Sequence, residues 1–141
     1  MTRKDNAQQL FLTYNCAQAT VGAFTDVLGM DEKTALRLTS GLGSGVGGTR
    51  LACGTFVGAA LVLGSVYADE SGSNKAFVSA KVREFAGSFA AKHGSLLCSD
   101  LLPRATANRD PSLSGRPCLR YVLDTVDLLT QMLGLDEVLA E

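Results

Sequence analysis

The chain lacks an excess of charge of either sign: thirteen Lys and Arg stand against fourteen Asp and Glu, a formal net charge of -1. It therefore lacks the basic footprint that nucleic acid or an acidic membrane surface requires, and neither is expected as a partner. Residues 1–15 carry Arg3, Lys4, Asp5, Asn6, Gln8 and Gln9 without a long apolar run, which excludes a secretory leader of the usual form. A reducing cytoplasm is the compartment expected on that ground, where cysteines serve metal binding or catalysis more often than permanent disulfides. Histidine occurs once, at His93, and no nucleophile elbow accompanies it. The C-x-x-C-H signature of attached haem is absent outright. No convincing period-two alternation exists, so the fold class expected is all-α.

What the chain does have is four cysteines, at Cys16, Cys53, Cys98 and Cys118. Their separations of 37, 45 and 20 residues exclude a local C-x-x-C clip, so a shared site has to be assembled by the tertiary fold. The 141 residues are enough to bury one core without disulfide staples, and residues 1–141 are expected to form a single helical four-cysteine domain.

Leu10, Tyr14, Ala17, Val21, Phe24 and Leu28 recur at spacings of four and three, which predicts one amphipathic helix over 5–28 with Cys16 beside the stripe. Gly29 ends it, and Asp31 opens a second, short helix to about Ser40. Five glycines in the eight residues 41–48 then demand a loop. Residues 51–68 carry no charge; their glycines, Thr55 and Ser65 dilute the apolarity, and they are expected to form a central helix surrounded by the others rather than a membrane span. Gly54 and Gly58, four residues apart, would let a neighbouring backbone approach closely. A fourth helix over 74–92 ends in His93, read as a helix-terminal cation, and in Gly94 as its cap. Ser95 is expected to cap a short helix over 96–102 that ends before Pro103, with a turn-rich stretch from Pro103 to Gly115. A last helix follows from Pro117 to about Leu133 with Cys118 in its first turn. The whole is a compact bundle of about five helices around a central apolar helix.

A helix N-terminus offers free amide hydrogens and partial positive charge, both of which favour thiolate over thiol. Cys98 and Cys118, and Cys53 with them, are therefore expected to have lowered pKa values and to act as redox thiols or ligands. Four cysteines satisfy a tetrahedral zinc or complete an iron-sulfur cluster, and they also serve a dithiol/disulfide pair. Cys16, read as mid-helix, weighs equally as a small packing residue. The glycine-rich loop lacks the order of a phosphate-binding loop, and its simpler role is to let the chain fold back so that Cys53 reaches the other thiols. Asp100 favours the positive start of its helix and takes no catalytic role. The reading from another class is a non-catalytic helical interaction subunit whose cysteines pack in the interior. The apolar stripes serve either a core or a face between copies of the chain, so a homo-oligomer stays open.

The order Asn15-Cys16-Ala17-Gln18-Ala19, a Gly-rich loop, Cys53-Gly54-Thr55-Phe56-Val57-Gly58-Ala59, Gly94-Ser95-Leu96-Leu97-Cys98 and Arg116-Pro117-Cys118 resembles the C_GCAxxG_C_C family of redox-active proteins. The resemblance spans residues 15–133 and includes all four cysteines with their surroundings. It implies a small helical protein with Cys16, Cys53, Cys98 and Cys118 as defining residues, Gly54 and Gly58 in support, and links to iron-sulfur or electron-transfer contexts, hence a redox protein partner. The second motif departs from the family's name pattern, since Ala52 precedes Cys53, Gly54 follows it and the later glycine is Gly58.

Overall fold

The computed structural model describes residues 1–109 and 116–140, and among these it contains eight α-helices, a short 3-10 turn and no strand. The helices are α1 (Arg3–Leu10), α2 (Cys16–Gly22), α3 (Thr25–Leu28), α4 (Glu32–Thr39), α5 (Gly54–Tyr67), α6 (Lys75–His93), α7 (Cys98–Ala107) and α8 (Leu119–Leu133), with the 3-10 turn at Ser40–Leu42. All-α is the class expected from the sequence.

The helix expected over 5–28 is three helices. The break comes from Asn15, whose side chain accepts from the Gln18 amide while the Gln18 side chain accepts from the Asn15 amide, a reciprocal capping box that starts α2 afresh. A second break at Phe24 turns the chain into α3. The apolar stripe runs in phase across both breaks, which is why periodicity alone reads through them. Cys16 is thereby the first residue of α2 and not a mid-helix residue.

The helix most enclosed by its neighbours is α2, buried from Ala17 to Gly22 and packed on α1, α4, α5 and α8. The uncharged α5 buries Gly54, Thr55, Gly58, Ala59, Val62 and Leu63 on one side, while Ser65 and Val66 are exposed. Its apolarity resides partly in glycine and alanine, which need no complete burial. Gly54 and Gly58 face α2 as expected: a Cβ on Gly58 would lie 3.2 Å from the Ala17 carbonyl oxygen, so α2 and α5 meet backbone to backbone. No helix among the described residues is long and apolar enough to cross a membrane.

Gly29 and Gly94 adopt left-handed φ of 66° and 90° as helix ends, and Asp31 caps α4 through the Thr34 amide at 2.8 Å. The helix at Cys98 starts two residues later than expected and does not stop before Pro103 but runs through it to Ala107. Pro103 forfeits one hydrogen bond, and Leu101 and Ala105, buried on either side of it, carry the helix on. Of the expected turn-rich stretch, residues 110–115 lie outside the described residues.

The chain ends are tied together. Thr2 bridges Val138, and the buried Arg3 donates to both carboxylate oxygens of Asp26 at 2.7 and 2.9 Å and to the carbonyls of Ala23 and Asp136. Burial raises the Asp26 carboxyl, but hydrogen bonds from Arg3 and the charge of Arg3 outweigh it and hold the group below its ordinary value.

Candidate thiol site

Each cysteine stands where a helix begins. Cys16 and Cys98 are the first residues of α2 and α7, and Cys53 and Cys118 directly precede α5 and α8. These four helix starts come together: all four thiols line one cavity of about 90 Å³, together with Asn15, Arg50, Gly54, Thr55, Arg116 and Tyr121. All four are free thiols, with Cys53 and Cys98 buried and Cys16 and Cys118 half-buried.

Local pairing sets their positions. Ala52 and Leu97 form a single antiparallel bridge, in which the Cys53 amide donates to the Leu96 carbonyl at 2.8 Å and the Cys98 amide to the Leu51 carbonyl at 2.7 Å. That bridge brings residues 45 positions apart side by side and consumes the two cysteine amides. Cys16 is brought in by the α2–α5 contact. A Cβ on Gly54 would lie 2.6 Å from the Cys16 sulfur and 2.8 Å from the Leu42 carbonyl oxygen, so glycine there makes room for the thiol. Cys118 enters through Arg116, whose guanidinium stacks 4.3 Å over Phe11 and donates to the Phe11 and Tyr14 carbonyls.

The glycine-rich loop closes the cavity from the remaining side. Residues 44–48 and Arg50 all hold positive φ, including Ser44 at 53°, Val46 at 68° and Arg50 at 61°. Left-handed backbone at a β-branched residue is strained, at a cost of order 1–3 kcal/mol for each such position. Backbone hydrogen bonds within the loop hold it, among them those the Arg50 amide donates to the Ser44 carbonyl and the Leu51 amide to the Gly45 carbonyl. A Cβ at Gly45 would lie 2.5 Å from the Arg50 Cα, so that position admits no side chain. The turn delivers Arg50, whose Nη1 lies 3.9 Å from the Cys98 sulfur. Folding back at the glycines is the role expected of this loop.

The electrostatics correct one expectation. Burial pushes the Cys53 thiol up from its ordinary value, and the Cys16 charge adds to this; the Phe56 and Thr55 amides at the start of α5 pull it down without prevailing. Burial likewise pushes Cys118 up to about 12, reinforced by Cys16, Cys53 and Cys98 and only partly relieved by Arg116. At Cys53 the amides of the helix start are outweighed by desolvation and the neighbouring thiol, and at Cys118 desolvation and three neighbouring thiols prevail over Arg116. The Thr55 side chain is fully buried in the cavity wall, where its hydroxyl acts on Cys53 and lowers that thiol, by less than burial raises it.

His93 also departs from its expected role. Its ring packs between Phe89 and Tyr121, at centroid distances of 4.7 and 4.8 Å, with Nε2 3.3 Å from Asp124. Burial lowers its pKa against the pull of Asp124. It stands apart from the thiol cavity. Asp100 lies in the first turn of α7, where it accepts from the Ser95 hydroxyl at 2.8 Å, a local structural role. Arg50, Thr55 and Tyr121 were not singled out by the sequence; Arg50 carried the one available signal, a cation three residues before Cys53 at the end of a glycine run.

Among the described residues no group of three or more His, Cys, Asp or Glu is gathered so that it could hold a metal ion. The four thiols line one small cavity closely enough that Cys16, Cys53 and Cys98 each raise the Cys118 thiol.

Fold and site together define a small all-α protein with a four-thiol cavity at converging helix starts. The chain belongs to the C_GCAxxG_C_C family, whose model, described as "Putative redox-active protein (C_GCAxxG_C_C)", matches residues 14–132. No curated protein and no solved structure matches the chain.

Proposed function

We propose that the chain is a thiol redox protein in which Cys16 and Cys53 cycle between dithiol and disulfide, with Cys98 and Cys118 completing the same cavity. The observation that carries the reading is the convergence of four free thiols on one cavity from four helix starts. Membership in a family described as redox-active supports it. Of the two half-buried thiols Cys118 is held protonated up to about 12, which leaves Cys16 as the entering thiol, and Cys53, buried and sensitive to the Cys16 charge, is the resolving one. Gly54 supports the pair by leaving room for the Cys16 sulfur, and Gly58 by the close approach of α2.

The reaction is thiol–disulfide exchange with a partner protein's disulfide. The Cys16 thiolate attacks one partner sulfur, and the other leaves as a thiolate. The Cys53 thiolate then attacks the Cys16 sulfur of the mixed disulfide, which releases the partner as a dithiol. Two electrons pass to the partner, and the two protons given up by Cys16 and Cys53 are matched by two taken up on its thiolates. The buried Thr55 hydroxyl, which already acts on Cys53, donates its hydrogen to the thiolate as it forms.

Equilibration of the protein in thiol–disulfide buffers of graded potential, with free thiols counted at each step, tests this. One two-electron transition is expected, lost in Cys16→Ser and Cys53→Ser and retained in Cys98→Ser. A wild-type chain that keeps four thiols at every potential refutes the redox reading and favours the packing and interaction role.

A further inference from the structure

A second cavity, of about 370 Å³, lies between α6, α7 and the start of α8. Its wall carries Lys92, His93, Arg104, Arg109, Arg116 and Arg120, which are five of the chain's thirteen Lys and Arg together with its only histidine. No Asp or Glu among the described residues lines it. In a chain of net charge -1, this concentration of one sign is local and costs repulsion that folding alone does not require.

Existing contacts leave much of this charge available. Asp124, at the edge, takes Lys92 at 3.2 Å and His93 at 3.3 Å, with Arg120 at 3.7 Å. Arg104 donates one nitrogen to the His93 carbonyl at 2.9 Å, and Arg116 donates from one nitrogen to two carbonyls. A guanidinium has five N–H donors, so both keep several for an anion, in the forked geometry that suits carboxylate and phosphoryl groups. The volume falls in the range of small-molecule sites, roughly 300–1,000 Å³. Arg116, Pro117 and Tyr121 line this cavity and the thiol cavity alike, so a ligand held here lies against the wall of the thiol site.

We propose that this basic cavity is a binding site for a small organic polyanion, one that carries at least two phosphoryl or carboxylate charges, seated on Arg104, Arg109 and Arg116. The site stands on its own charges and does not rest on the redox reading.

The test is calorimetric titration of the intact, reduced protein with pyrophosphate and, separately, with citrate, so that no electron transfer enters the readout. Binding of at least one is expected, weakening as salt rises from about 50 to about 200 mM. Arg104→Gln/Arg109→Gln should bind at least roughly tenfold more weakly, since each lost charge-assisted hydrogen bond is worth about a factor of ten. Arg109→Gln alone, at an exposed position, should weaken binding without disturbing the helical circular-dichroism signal. The charge-matched control Lys33→Gln/Lys75→Gln should bind as wild type, Lys75 being about 26 Å from Lys92 along α6. Whichever anion binds more tightly assigns the phosphoryl or the carboxylate class. Failure of both anions to bind, equal affinity in the arginine variants, or equal weakening in the control overturns the proposal.

Discussion

Three glycines along α5 make a graded experiment, because the structure gives each a different neighbourhood for the same added methyl. At Gly54 a Cβ would lie 2.6 Å from the Cys16 sulfur and 2.8 Å from the Leu42 carbonyl oxygen. The carbonyl is backbone and cannot swing aside, so Gly54→Ala has to push the loop and α2 outward to reach ordinary contact. Overpacking of this kind costs about 1–3 kcal/mol. Little offsets it, since Gly54 is the first helical residue and its backbone is not yet within the hydrogen-bonded interior. At Gly58 the nearest atoms lie at 3.2–3.4 Å, a matter of a few tenths of an ångström. The gain of about 0.8–1.0 kcal/mol in helix propensity at an interior position then roughly cancels the crowding. At Gly64 nothing lies within 4 Å, and Gly64→Ala should stabilise by about 0.5–1 kcal/mol. Urea denaturation of the three variants, compared by midpoint at constant slope, reads the order directly. The reasoning is refuted if Gly54→Ala is as stable as wild type, or if Gly64→Ala is the least stable of the three.

Further outcomes follow from the same structure. Arg3→Met leaves the Asp26 carboxylate largely buried without its cation and should cost about 3–5 kcal/mol in the same assay. Because Asp26 is held below its ordinary 3.8, its stabilisation is full at neutral pH and lost as pH falls through the folded value, so the variant should also show a flatter acid limb. Cys118, raised from 9.0 to about 12, binds its proton more tightly folded than unfolded. Its contribution is complete below pH 9 and declines toward 12, and alkylation of Cys118 in the native protein should stay slow until that range, with Cys118→Ser flattening the alkaline limb. Elemental analysis of protein purified without oxygen should find iron and zinc well below one per chain. Near-stoichiometric iron with inorganic sulfide would replace the dithiol reading by a cluster.

Much of the fold was legible because its punctuation is local. Gly29 and Gly94 end helices for want of a Cβ, Asp31 caps α4, and the α8 stripe from Leu119 to Leu133 faces inward as its spacing requires. The Gly54–Gly58 approach was legible for the same reason. The break at Asn15 was not, because the stripe from Leu10 to Leu28 stays in phase across it; the Asn15–Gln18 capping box was the signal that outweighed periodicity. The cysteines as a set were legible, but the Ala52–Leu97 bridge that pairs two of their helix starts depends on backbone 45 residues apart and leaves no sequence pattern. The direction of the shifts at Cys53 and Cys118 runs against the local signal for a similar reason. A helix end is a local property, whereas burial and the proximity of Cys16 to Cys53 and Cys118 are tertiary.

The most direct measurement is mass-spectrometric mapping of the native protein after oxidation by a disulfide buffer in the presence of chelator, with unreacted thiols blocked before digestion. The account predicts one intramolecular disulfide joining Cys16 to Cys53 and labelled thiols at Cys98 and Cys118. Four labelled thiols, in a chain that oxidises readily once unfolded, would contradict it.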